Sequence, residues 1–275
     1  MIKKILNFFR RYRFKLIRVS NIDPITKIFL GTNKMYQNLL DESFKTNFNN
    51  IAELEKEYGF SVDENWLNNL ALKTQISIKK SKPNFQHGRI LYACLRNYIE
   101  KYNYNNKKIT IFETGTSVGF SALCMSRAIK DAKFENYTIY TTDIIPSNLK
   151  IYWNKYGDEF GKRTRIEILD EWKEYLENIT FLSGDTLDIL ANLHINRINF
   201  AFLDAVHSSK YVKAEFDYVR KRQKVGDLII FDDITQNQFP DLVKYIFNIE
   251  NDKDYDFQYL KSTDSRGYAI AKKTK

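Results

Sequence analysis

Cysteine, histidine and glycine are scarce in this chain, and long apolar runs are missing from it. Of its 275 residues only 2 are cysteine, 3 histidine and 10 glycine. Cys94 and Cys124 stand among apolar residues in stretches that read as helix, without a CxxC pair or a Cys/His ligand spacing, so they are expected to be buried free thiols and not metal ligands. No uninterrupted apolar run approaches the roughly 20 residues of a membrane span. A secretory signal is missing too: charges interrupt the first apolar residues every few positions and no cleavage site follows, which makes a reducing, cytoplasmic setting the expectation. Acidic residues are absent from positions 1–20, where Lys3, Lys4, Arg10, Arg11, Arg13, Lys15 and Arg18 supply 7 of the 9 net positive charges. The other 255 residues are therefore near +2. A body made for phosphate backbones would be basic throughout, so nucleic acid is not the expected partner.

What is present suits a globular enzyme. Hydrophobic residues make up 43% and aromatics 15% of the chain, enough to bury a sizeable core. In the basic arm, residues 1–20, Ile2, Ile5, Leu6, Phe9, Tyr12 and Leu16 recur at spacings of three and four and give a helix one apolar stripe. Such a helix would lie peripherally on the anionic inner membrane surface, or pack on its own domain or a partner; both readings stay open. Residues 21–105 read as helices that cap the rest or form a dimer surface. From residue 106 to 275 short β-rich runs alternate with helical ones, the mark of a parallel sheet in an α/β domain.

The expected strands are KITIFET, YTIYTTD, NITFLSG, INFAFLD and DLIIFDD, followed by the pair FQYLKS and GYAIAKK. Each of the first five ends in a polar or acidic residue, and ligands of open parallel sheets bind at the carboxyl ends of strands. That edge would carry Glu113, Asp143, Asp185, Asp204, Asp232 and Asp233. After Glu113 the loop Gly115, Thr116, Ser117, Val118, Gly119 precedes a helix starting near Phe120, a geometry in which backbone amides can approach a ligand closely. Ser117 stands where the dinucleotide fingerprint has its middle glycine, which argues against a nicotinamide or flavin cofactor. The same five residues match the nucleophile elbow of a serine hydrolase, but that fold needs several strands before the elbow and a late histidine, and no histidine follows His207.

Asp143 lies thirty residues after Glu113, where a nucleotide-binding βαβ unit places the carboxylate for ribose hydroxyls. Asp185 would lie near the adenine end. Taken singly, each acid also reads as a helix cap. Asp204 precedes Asp232 and Asp233 by 28 and 29 residues, one βαβ unit, so three carboxylates would face one another. Such a cluster calls for a neutralising cation, and hard oxygen ligands suit magnesium, manganese or calcium. His207, three residues past Asp204, is the natural general base.

Together these residues resemble the class I S-adenosylmethionine-dependent methyltransferases, and among them the metal-dependent sugar O-methyltransferases of the macrocin type. The resemblance covers about residues 108–275: ETGTSVGFS is similar to the cofactor loop, TTD to the ribose acid, LSGD to the adenine-side acid, and LDAVHSSKYV with IIFDD to the metal and base region. It implies a Rossmann-like, mostly parallel sheet with a reversed last strand. It implies too that Glu113, Gly115, Thr116, Ser117, Gly119, Ser121, Asp143 and Asp185 bind S-adenosyl-L-methionine. Asp204, Asp232 and Asp233 would hold a divalent metal such as magnesium, and His207, with Asp204, would act on the hydroxyl of a sugar or other small acceptor. Relatives often read Asp-Gly-Asp-His where this chain has Asp204, Ala205, Val206 and His207, so the base role falls on the histidine. A metal-independent methyltransferase and a non-enzymatic membrane-surface scaffold are the rival readings; a homo-oligomer is compatible with all of them.

Overall fold

All six side chains of Ile109–Thr114 (β1) are buried. Ile109 and Ile111 join the core on one face of the sheet and Phe112 the core on the other, which is why a run without polar alternation forms a strand covered on both sides. The computed structural model describes residues 28–79, 81–102, 107–204, 206, 208–263 and 266–275. The basic arm expected at 1–20 and the expected base His207 lie outside the described residues.

Beside β1 run Tyr137–Asp143 (β2), Ile179–Ser183 (β3), Phe200–Leu203 (β4) and Leu228–Phe231 (β5), all parallel; Tyr255–Thr263 (β6) and Arg266–Lys273 (β7) complete the sheet. The order is β3-β2-β1-β4-β5-β7-β6, with β7 antiparallel to both of its neighbours. This is the expected Rossmann-like α/β sheet, mostly parallel and with a reversed last strand. The order changes direction between β1 and β4, and the crevice at that switch point is where open α/β sheets take their ligands.

Among the described residues four helices precede the sheet: Asn33–Ser43 (α1), Asn49–Tyr58 (α2), Glu64–Thr74 (α3) and His87–Lys101 (α4). Five more follow: Phe120–Asp131 (α5), Arg165–Leu169 (α6), Thr186–Asn192 (α7), Ser209–Arg220 (α8) and Pro240–Asn251 (α9). Tyr36, Leu54, Leu70 and Leu91 of the first four share one buried core with α5 and one face of the sheet, while α8 and α9 cover the other face. The chain leaving α3 is tied over the strand ends by Asn154, which accepts from the Ile78 N–H at 3.1 Å and donates to its carbonyl at 3.0 Å. No helix among the described residues is long and apolar enough to cross a membrane.

Candidate active site

The turn from β1 into α5 is made by three residues of positive φ: Gly115 (89°), Ser117 (49°) and Gly119 (113°). At Gly119 a side chain would be strained, and its Cβ would stand 3.0 Å from Leu169 Cδ1. Ser117 has no such freedom and is held from two directions. Its N–H donates to Asp143 Oδ2 at 2.6 Å, and its carbonyl accepts from Arg165 Nε at 2.7 Å. Arg165 is almost fully buried, donates also to Ser147 Oγ at 2.8 Å and Ile145 O at 3.1 Å, and lies 3.6 Å from Asp143. Asp143, at the end of β2, takes the Ile145 N–H as well, at 2.7 Å. Each carboxylate oxygen keeps a second lone pair for a ligand hydroxyl.

Glu113 lies beneath the loop, fully buried, with Ser121 Oγ and Thr141 Oγ1 donating to its two oxygens. Burial lifts its pKa to about 7 against those two bonds. It braces the loop from below, whereas Gly115, Thr116, Ser117 and Ser121 line a cavity of about 300 Å³ above it. Asp143 lines the same cavity. Asp185 does not: it caps α7 by accepting the Leu187 N–H at 2.9 Å and takes the Tyr211 hydroxyl at 2.9 Å.

The opposite wall holds the expected trio. Leu203 of β4 pairs with Phe231 of β5, so Asp204 and Asp232 come off adjacent strand ends, and all three acids line the cavity. Burial, then Asp232 and Asp233, raise the Asp204 pKa well above the usual carboxylate range. The cation that meets these acids is a side chain. Arg266, first residue of β7, hydrogen-bonds Asp233 Oδ1 and places Nη1 3.7 Å from Asp232 Oδ2. Among the described residues no group of three or more His, Cys, Asp and Glu side chains is arranged to hold a metal ion. A divalent ion of the kind expected from the sequence would meet the guanidinium at Asp233 Oδ1 and Asp232 Oδ2, so the acids as they stand fit it poorly.

The rest of the cavity comes from segments in which the sequence raised no flag. Gln75, Ser77, Lys79 and Asn84 line it from the chain between α3 and α4, and Lys155 from the crossover after β2. Lys155 is buried, donates to Gln75 O at 3.2 Å, and burial brings its pKa down to about 7. His87 opens α4 with its ring stacked on Phe202 (centroids 5.8 Å apart) and edge-on to Phe120 (4.9 Å). Burial lowers its pKa to about 4, so the imidazole is neutral at pH 7.

One cavity thus joins a glycine-bearing loop, a strand-end acid and a second cluster of acids. Residues 112–234 match the family model described as a methyltransferase domain. That match spans 123 of the 275 residues. The elbow reading of Ser117 fails on topology, since no strand precedes β1 among the described residues. No curated protein matches the sequence. Among solved structures, the O-methyltransferase TomG from Streptomyces achromogenes, involved in tomaymycin synthesis and solved in complex with SAM, is 15% identical over 78% of this chain and 92% of its own, with a TM-score of 0.54. The O-methyltransferase NovP is 14% identical over 74% of this chain and 88% of its own, at a TM-score of 0.51. At such identities the likeness is one of fold, and it extends over about three quarters of the chain.

Proposed function

We propose that the chain is an S-adenosylmethionine-dependent O-methyltransferase acting on a hydroxyl of a sugar or another small polyhydroxylated acceptor. The observation that carries the reading is the shared cavity: the loop 115–121 and Asp143 on one wall, Asp204, Asp232 and Asp233 on the other. The loop amides and Asp143 would hold the cofactor, Asp143 through the ribose hydroxyls. Glu113 serves from beneath, by fixing Ser121 and Thr141. Asp185, the α7 cap, would reach the cofactor only from the rim.

When bound, the cofactor supplies a methyl group activated on a sulfonium: a C–O bond forms as the C–S bond breaks, and sulfur keeps the electron pair. The protein has to align the acceptor oxygen and receive its proton. Asp204 and Asp232 accept hydrogen bonds from acceptor hydroxyls and fix their direction. His207, three residues past Asp204, takes the proton. His87, neutral and enclosed, offers a nitrogen to a further hydroxyl.

The sugar half of the proposal is supported by the wall itself. Gln75, Ser77, Lys79, Asn84 and Lys155 present amides, a hydroxyl and ammonium groups, while the aromatic lining is Phe120 and Tyr268 with the His87 ring. A flat aromatic acceptor would call for apolar faces; hydroxyls are matched by these polar groups. Calorimetric titration with S-adenosylmethionine tests the cofactor half, with micromolar binding expected, and lost in Asp143→Ala. Release of S-adenosylhomocysteine in the presence of glycosylated acceptors tests the other half. A protein that ignores the cofactor at every concentration would overturn the proposal.

A further inference from the structure

The sheet itself carries a cation to the acid cluster. β7 enters antiparallel beside β5, and the Ile234 N–H donates to Gly267 O at 2.8 Å, so the backbone after Arg266 is bonded to the backbone after Asp233. The approach leaves no room for adjustment: a Cβ on Gly267 would stand 2.5 Å from Ile234 O. Arg266 is therefore placed by the sheet, not by a surface arm that could swing away. Its side chain is 22% exposed and meets Asp232 and Asp233, each 5% exposed. Asp233 is itself fixed at a positive φ of 55°. Lys79 adds a second positive charge on the same cavity.

We infer that Arg266 is the resident counter-cation of Asp232 and Asp233, and that the methyl transfer runs without a divalent metal. Magnesium needs near-octahedral oxygen ligation at roughly 2.0–2.1 Å, whereas Asp233 Oδ1 is already bonded to the guanidinium and Asp232 Oδ2 lies 3.7 Å from it. Placing a dication there would set it against Arg266 and Lys79. The acceptor is then oriented by hydrogen bonds, from the guanidinium N–H groups and to the carboxylates, in place of chelation. The consequence for turnover rests on the proposed methyltransferase reading; the statement about the metal does not.

The experiment separates the two. The full chain, stripped with chelator and dialysed, is titrated calorimetrically with magnesium chloride and with manganese chloride, without cofactor, and melted with and without chelator. The inference expects no saturable heat and an unchanged melting temperature. Arg266→Ala, where it folds, is expected to melt lower and to be rescued by manganese, since it takes the guanidinium away from two buried carboxylates. Saturable micromolar binding of either metal to the wild-type chain, lost in Asp232→Asn, would overturn the inference whatever the variant does. Failure of the methyltransferase reading is registered separately, by the cofactor titration.

Discussion

Arg165→Met is the substitution whose effect the structure sets most tightly. The guanidinium bonds Ser117 O, Ser147 Oγ and Ile145 O and pairs with Asp143, and its carbon Cζ lies 5.5 and 5.6 Å from the ring centroids of Trp153 and Phe181. Methionine keeps most of the stem and removes the charge. Deleting one partner of a buried pair costs about 3–5 kcal/mol. Asp143 keeps 11% of its side-chain surface in water and Ser117 is exposed, so its oxygens can recover part of the loss, and the lower end, about 3 kcal/mol, is expected. For a chain of this size that is a fall of roughly 6–12 °C in Tm. Cofactor affinity should fall as well, because Ser117 sits at a positive φ that only its two partners over-determine. Arg163→Met is the control: Arg163 donates to Tyr156 O at 2.6 Å and pairs with Asp158 at 3.5 Å, away from the loop. It should lower Tm and leave cofactor binding alone. Scanning calorimetry and cofactor titration on both variants make the comparison. An Arg165→Met protein that melts low and binds S-adenosylmethionine like wild type would refute the claim that Arg165 holds the loop.

Asp143→Asn keeps the shape of the carboxyl and removes its charge; cofactor affinity should weaken by roughly 1.5–3 kcal/mol, measured by the same titration. His207→Ala is expected to abolish turnover while cofactor binding survives, and a fully active variant would remove the base role. Glu215 is enclosed, and burial raises its pKa from 4.5 to about 7 against a hydrogen bond from Thr114. The folded state thus holds the proton more tightly than the unfolded one, so this contribution is complete below pH 4.5 and is lost as the pH rises through about 7. At about 1.4 kcal/mol per pH unit the loss is roughly 3 kcal/mol, and Glu215→Gln should flatten the fall in Tm between about pH 5 and pH 8.

The sheet and the acids at its edge were legible because a parallel strand covered on both faces must be apolar along its length and polar where it emerges. ITIFET, YTIYTTD and FAFLD each say so in five to seven residues, and β-pairing then aligns their ends. Asp185 shows the limit of that logic. An Asp directly before Thr186 and Leu187 is also a helix N-cap, and here the capping bond is made. Arg266 was illegible for another reason. A reversed last strand follows from the run GYAIAKK, but its register against β5 decides which side chain meets Asp233, and register is set by pairing across 33 residues. His87 carried a faint signal: Gly88 beside it has no Cβ, and one placed there would stand 2.7 Å from the Phe120 ring, so α4 approaches α5 closely at that point. Only the packed structure turns that gap into an imidazole at the cavity.

The two walls of the cavity belong to different parts of the chain, and the division has a physical basis. The wall proposed for the cofactor is built from strand ends and one loop, positions fixed by β-pairing and braced by Glu113, Asp143 and Arg165. The far wall combines the acids and Arg266 with the 75–87 segment, which is anchored through Asn154 and Lys155 to the crossover after β2. On the proposed reading, changes in Gln75 or Ser77 would leave the bonds among Ser117, Asp143 and Arg165 in place and alter the acceptor wall alone. Lys79 and Lys155 belong to that same segment and its anchor, and Arg266 lies beside them on β7. A cavity that supplies its own positive charge can select hydroxyls by hydrogen bonding alone, and its acceptor preference then follows from the placement of these few polar side chains.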